Sequence, residues 1–234
     1  LREEVGEQPF ALFLSWGPPH NPFGTAPAKF EAMYDPATIE LSPNVPDDAA
    51  ETARKELAGY YAHCSALDAA FGRLVDALEA TGRDKDTIVI FTSDHGDMLG
   101  SQGMSRKQKP WAESLRVPFL VRHPQVAEAR THHTPIDAPD MMPTLLSLCG
   151  APIPEAVQGR DFSATIVDGT PSGIDHALLA LYLPFHEWRY NNGGRELRGL
   201  HNEHYTYVRT LEGPWLLYDN LTDPAQLANL VADP

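Results

Sequence analysis

The sequence predicts an α/β fold: a mostly parallel central sheet flanked by helices, followed by a small C-terminal antiparallel subdomain. Three observations predict it. Two nearly unbroken apolar runs, FALFLSW at residues 10–16 and TIVIFT at residues 87–92, have the composition of strands covered on both faces, as in parallel sheets. Between them, residues 48–81 repeat apolar side chains at three- and four-residue steps, so strand, helix and strand make one crossover unit. Beyond residue 173, short strand-like runs alternate with polar turns, the pattern of an antiparallel sheet. Residues 1–150 are expected to form part of an α/β domain and residues 151–234 a small α+β subdomain.

Each element has its own warrant. The first strand ends at Gly17-Pro18-Pro19, and His20 follows just past its carboxyl end, where open α/β sheets place functional groups. Taken alone, His20 reads as a loop histidine capping local backbone. Residues 21–48, rich in Pro, Ala and Asp, read as a long surface excursion walling a binding site. In the helix, Leu57, Tyr60, Cys64, Leu67, Phe71, Leu74 and Leu78 define one face. Asp47 or Asp48 supplies its N-cap and Gly82 stops it, while His63 and Asp68 read as helix-surface residues. Residues 117–122 read as a further core strand. His132 and His133 read as exposed loop histidines rather than a metal pair. Residues 137–149, DAPDMMPTLLSLC, start with a capping acid and form an amphipathic helix ended by Gly150, its Met pair and leucines in the core. Strand-like runs at 177–183, 205–209 and 215–218 build the C-terminal sheet, and residues 221–230 a terminal helix or turn. His186, Trp188, Arg189, Tyr190 and His201 fall in long connections that reach toward a pocket rim.

Composition narrows the partners. A chain of 234 residues with 42% hydrophobic content buries a sizeable core. A formal charge of −14 excludes nucleic acid and anionic membrane surfaces as general partners. An anionic small-molecule substrate must therefore be drawn by a local positive pocket. With no long apolar run, no membrane span is expected. Two cysteines, Cys64 and Cys149, make no disulfide framework and read as structural. The chain opens on Leu1 without a signal-peptide pattern and is expected to begin in mid-protein, which leaves its compartment open.

Residues 87–118 organise the rest. The apolar strand runs into Ser93-Asp94-His95-Gly96, which sets two metal-ligand side chains at a strand's carboxyl end, beside a glycine that permits a tight turn. Gly100 and Gly103 let the loop wrap a pocket, although no dinucleotide or P-loop spacing is present. Asp97 is either a partner of His95 or a solvated loop acid. Arg106, Lys107 and Lys109 then concentrate positive charge in an acidic chain. A metal and a lysine around one pocket hold a tetrahedral oxyanion.

These residues carry a resemblance. TSDHGDMLGSQG, followed by KQKPWAESLRVPFLVRHP, resembles the C-terminal part of the sulfatase family, within the alkaline-phosphatase-like superfamily. SWGPPHNPFGTAPAKF, the helix around residues 136–150 and the tail LLYDNLTDPAQLANLVADP agree with it in order. The resemblance implies that Asp94 and His95 are metal ligands, with calcium expected and manganese or zinc also compatible. It implies that Lys107 neutralises charge on the sulfate oxygens and that His20 contacts the ester oxygen or protonates the leaving alcohol. By its register, Lys109 is expected at the surface. Asp97, Gln102 and Arg106 are expected near substrate, Gln102 standing where relatives commonly carry a histidine. Ala112 stands where they carry an acid. The motif C-x-[PA]-x-R, whose cysteine becomes formylglycine, is absent; Cys64-Ser65-Ala66 begins like it but meets Asp68 where Arg is required. The early Asp pair is absent too. The implied activity is hydrolysis of a small sulfate ester of a sugar, aryl or choline-like alcohol, with formylglycine and the other metal ligands in an N-terminal half. A phosphodiester or phosphonate-monoester hydrolase of the same superfamily, or a non-catalytic lobe that docks with a partner chain, are the alternatives.

Overall fold

The computed structural model of the chain describes residues 8–232. They divide into two compact units, one of residues up to Leu41 with Val45–Thr87, the other of Ser42–Asn44 with residues from Ile88 onward.

In the first unit α1 (Ala28–Glu31) and a 3-10 turn at Pro36–Thr38 pack on the long α2 (Ala50–Ala80). The helix hides small residues: Ala53, Ala58 and Ala62 are buried with His63, while the predicted leucine row is only half-buried. The cause is that residues 21–41, most of them exposed at the surface as expected, fold back along α2 and bury Phe23, Ala26 and Ile39 against it. A Cβ on Gly59 would lie 2.3 Å from the Phe23 carbonyl oxygen, so small residues are what let the two backbones meet. This closeness also corrects the reading of His63: it is 2% exposed, its Nε2 lying 3.1 Å from Thr25 Oγ1. Neither Asp47 nor Asp48 caps the helix by its side chain. A turn starting at Pro46 does so, with Ala49 N–H donating to the Pro46 carbonyl at 3.0 Å. At the other end Gly82 (φ 70°) and the bond from Arg83 N–H to the Leu78 carbonyl at 3.0 Å close it as expected.

Residues 10–16 form no strand, and Phe13 stands 86% exposed. Apolar composition expresses a preference for burial, but a strand exists only where a neighbour takes its N–H and C=O groups. The mostly parallel sheet is not found among the described residues. In the second unit β1 (Val89–Thr92) pairs antiparallel with β2 (Phe119–Arg122), Thr92 opposite Phe119. Residues 93–118 therefore leave and re-enter this ribbon at the same end. On β2 half-buried and exposed residues alternate, so it is not a fully covered core strand.

Beyond it come α3 (Ala112–Leu115), which precedes β2 in the chain, then α4 (Met141–Leu148) and α5 (Ser163–Asp168). The start of α4 was legible: Asp137 N–H donates to Asp140 Oδ2 at 3.2 Å across a 3-10 turn, and Gly150 (φ 67°) follows its end. Its Met pair is not core: Met142 is 55% exposed and Met141 only half-buried. His132 and His133 are exposed, as expected. A four-stranded antiparallel sheet closes the chain: β3 (His176–Leu181), β4 (Leu197–Asn202), β5 (Tyr205–Thr210) and β6 (Gly213–Asp219), in that order. The sequence hid β4, whose Arg198, Gly199 and His201 disguise its alternation. Of the two expectations for residues 221–230, helix or turn, the structure has turns. The Asn229 side chain accepts from Leu217 N–H at 3.0 Å and donates to the Trp215 carbonyl at 2.9 Å, laying the tail along β6. Met98, Trp111, Trp188, Leu197, Val208, Leu216 and Tyr218 make the core beneath this sheet. Trp188 is thus a core residue rather than a rim residue. No helix among the described residues is long and apolar enough to cross a membrane.

Candidate active site

β1 delivers its chain directly into the Ser93–Gly96 turn. The Asp94 side chain is 85% exposed, and its Oδ1 accepts from His95 N–H at 3.0 Å. His95 is more covered. Its Nδ1 lies 2.7 Å from the Gly96 carbonyl oxygen, which can only accept, so Nδ1 carries the proton and the lone pair of a neutral ring sits on Nε2. That Nε2 is 3.5 Å from Asp94 Oδ2, a spacing that two ligands of one cation keep when each stands about 2.0–2.6 Å from it. Tautomer, spacing and exposure suit a divalent ion. Among the described residues no group of three or more His, Cys, Asp or Glu gathers around this pair.

Gly96 is explained by space. Its backbone is not left-handed; a Cβ there would lie 1.9 Å from the Glu113 carbonyl oxygen, and its N–H donates to the Ser114 carbonyl at 3.0 Å. Through this contact the Ser93–Gly96 turn lies against α3, immediately after the lysine-rich segment. Asp97 faces inward, its side chain 7% exposed. Its Oδ1 accepts from Leu99 N–H at 3.1 Å and from Arg106 N–H at 2.9 Å, and the Arg106 guanidinium stands 4.0 Å from its Oδ2. Of the two sequence readings for Asp97, a solvated acid does not fit; its carboxylate braces the loop that carries Arg106 and Lys107. Lys107 is half-buried. Lys109, expected at the surface, is 5% exposed: its Nζ donates to the Lys107 carbonyl at 2.9 Å and stands 5.7 Å from the Trp188 ring centre. Burial draws its pKa below the ordinary lysine value, against the opposing pull of the Asp97 and Glu187 carboxylates.

Gln102 adopts a left-handed backbone (φ 57°) and donates from Nε2 to the Gln226 carbonyl at 3.0 Å and the Ala225 carbonyl at 3.3 Å. It joins a network invisible in the sequence. Asn44 Nδ2 donates to Glu113 Oε1 at 2.7 Å and to the Ala225 carbonyl at 3.0 Å, while Gln226 Oε1 accepts from Ala112 N–H at 3.0 Å. Only the buried polar character of Asn44 and Gln226 in the fold marks them. His20 belongs to the other unit, exposed in a turn, its Nδ1 donating to the Asn21 carbonyl at 3.0 Å.

Comparison with known proteins accords with this loop. The sulfatase family model matches residues 1–151, and the model of the C-terminal region of N-sulphoglucosamine sulphohydrolase matches residues 100–234. An ulvan-active sulfatase of Formosa agariphila is 40% identical over 100% of this chain and 46% of its own length. An endo-4-O-sulfatase of Bacteroides thetaiotaomicron is 33% identical over 97% of this chain and 48% of its own. Among solved structures, the yidJ protein of Bacteroides fragilis superposes with a TM-score of 0.82 at 28% identity, covering 97% of this chain and 50% of that one. The phosphonate monoester hydrolase of Agrobacterium radiobacter superposes with a TM-score of 0.78 at 26% identity, covering 92% and 51%. The chain spans about half the length of the relatives it matches. By these matches, the chain belongs to the sulfatase family of the alkaline-phosphatase-like superfamily.

Proposed function

We propose that this chain supplies one half of the active site of a metal-dependent sulfate monoester hydrolase, and that its substrate is a sugar sulfate. The observation that carries the reading is the joined loop: Asp94 and a correctly tautomeric His95 are bonded through Gly96 and Ser114 to the segment bearing Lys107. Asp94 Oδ2 and His95 Nε2 would hold a divalent cation, with calcium favoured for its taste for carboxylate oxygen and manganese or zinc compatible with the imidazole. When bound, the ion would act as a Lewis acid toward the ester oxygens. Lys107 presents a point charge to the non-bridging sulfate oxygens, strongest as negative charge builds on them. By family resemblance His20 would give a proton to the departing alcohol oxygen. By family resemblance Arg106 and Gln102 would stand near the substrate, while Asp97 braces the loop from within. The nucleophile, a formylglycine by family resemblance, and the remaining metal ligands would come from residues outside this chain. The names of the ulvan-active and endo-4-O relatives favour a sulfated sugar over an aryl or choline ester.

A second reading is a phosphonate-monoester hydrolase, favoured by the superposition on the Agrobacterium radiobacter enzyme. The two differ in a direct assay. The polypeptide translated from the whole reading frame, loaded with calcium, is given matched sulfate and phosphonate monoesters of one alcohol. Preferential release of sulfate supports the proposal. Preferential phosphonate turnover transfers the site to the second reading.

A further inference from the structure

We propose that Asp97 and Lys109 are positioning residues that clamp Lys107 from its two sides, an inference that rests on Lys107 binding the sulfate. Lys107 lies between two non-glycine residues in left-handed backbone, Arg106 (φ 69°) and Gln108 (φ 72°). L side chains disfavour this conformation, and such a pair persists only where its surroundings impose it. Two hidden charges impose it here. On the Arg106 side, the inward Asp97 carboxylate accepts the Arg106 N–H at 2.9 Å, and Met98 N–H donates to the Arg106 carbonyl at 3.0 Å. On the Gln108 side, the buried Lys109 ammonium donates to the Lys107 carbonyl at 2.9 Å, and Lys109 N–H donates to Ser114 Oγ at 3.3 Å.

The chemistry of Lys109 separates positioning from filling. Burying an ammonium is costly, and an apolar chain of the same length would pack on Trp188 without that cost. What the apolar chain cannot do is hold the carbonyl of the residue before Gln108. Lys109 thus fixes the backbone from which the Lys107 side chain projects, and its face-on contact with Trp188 ties that backbone to the core under the C-terminal sheet.

The test is a double-mutant cycle in the polypeptide translated from the whole reading frame. Lys109→Met is made alone and on a Lys107→Met background, with kcat/KM for the sulfate ester and hydrogen exchange of amides 106–108 as readouts. A positioning role predicts a loss of about 10- to 100-fold in the native background and under about 2-fold when Lys107 is already gone. Exchange at amides 106–108 rises about 10-fold or more in Lys109→Met while the sheet amides stay unchanged. An equal loss in both backgrounds, or unaltered exchange, overturns the proposal. Should Lys109→Met not fold, the shorter neutral Lys109→Gln enters the same cycle. If the native polypeptide hydrolyses no sulfate ester, the parent reading of Lys107 fails, and exchange alone decides the clamp: faster exchange sustains it, unchanged exchange refutes it.

Discussion

Replacing Gly96 by Ala adds one methyl group at the contact that joins the Ser93–Gly96 turn to α3. The added Cβ would stand 1.9 Å from the Glu113 carbonyl oxygen and 2.9 Å from its carbon, whereas real Cβ contacts stay beyond 3.0 Å. The obstacle is backbone, which has no rotamer to yield, so the turn must retreat by about 1 Å. Overpacking of this kind costs about 1–3 kcal/mol. The retreat also breaks the bond from Gly96 N–H to the Ser114 carbonyl, 3.0 Å long, worth about 1 kcal/mol. The expected loss is about 2–4 kcal/mol, read by urea unfolding as a lower midpoint at unchanged slope. Gly24→Ala is the control, because a Cβ there meets nothing within 4 Å and its φ is not left-handed; it should shift stability by under about 0.5 kcal/mol. A Gly96→Ala protein within that same margin would refute the claim that space selects this glycine.

Further outcomes follow from the same contacts. Gly72→Ala, inside α2 with open space around it, should stabilise the protein by about 0.5–1 kcal/mol, and a loss in thermal unfolding would mean the helix surface there is covered. Asn44→Ala strips the donor from Glu113 and from the Ala225 carbonyl and should cost about 1–3 kcal/mol; neutrality in denaturant titration would show the network idle. Burial, and next the nearby Arg116 charge, hold the His201 imidazole below its ordinary value of 6.5, so the folded state prefers it neutral. The unfolded chain then binds the extra proton: this contribution is complete above pH 6.5 and fades as pH falls through 6.5 toward the lower folded value. His201→Gln should flatten the fall in stability between about pH 7.5 and 5.5, and parallel curves would contradict the assignment.

The sequence disclosed what depends on local pattern. Asp94-His95-Gly96 identified the turn because ligand residues at a strand's end form a local signal, and Gly82, Asp137 and Gly150 marked helix ends through capping chemistry that acts within a few residues. Packing across the chain stayed hidden. Ala53, Ala58 and Ala62 look unremarkable beside the leucine row, yet they bury because the returning 21–41 segment needs close approach. Lys109 read as surface because sequence carries its charge but not the Lys107 carbonyl that receives it. Residues 10–16 read as a strand because hydrophobicity names a preference and not a partner. Asn44 and Gln226 lie 69 and 114 residues from the groups they bind, Glu113 and Ala112, and no periodicity links such positions.

The most direct test of the account compares the native polypeptide, translated from its whole reading frame, with Lys107→Met and with the exposed control Lys85→Met, by sulfate release from a sulfated sugar. The account predicts release by the native protein and by the control, and a drop of about 100-fold or more in kcat/KM for Lys107→Met. Equal rates for all three would contradict the assignment of Lys107 to the sulfate, and with it the claim that this loop forms half of a sulfatase active site.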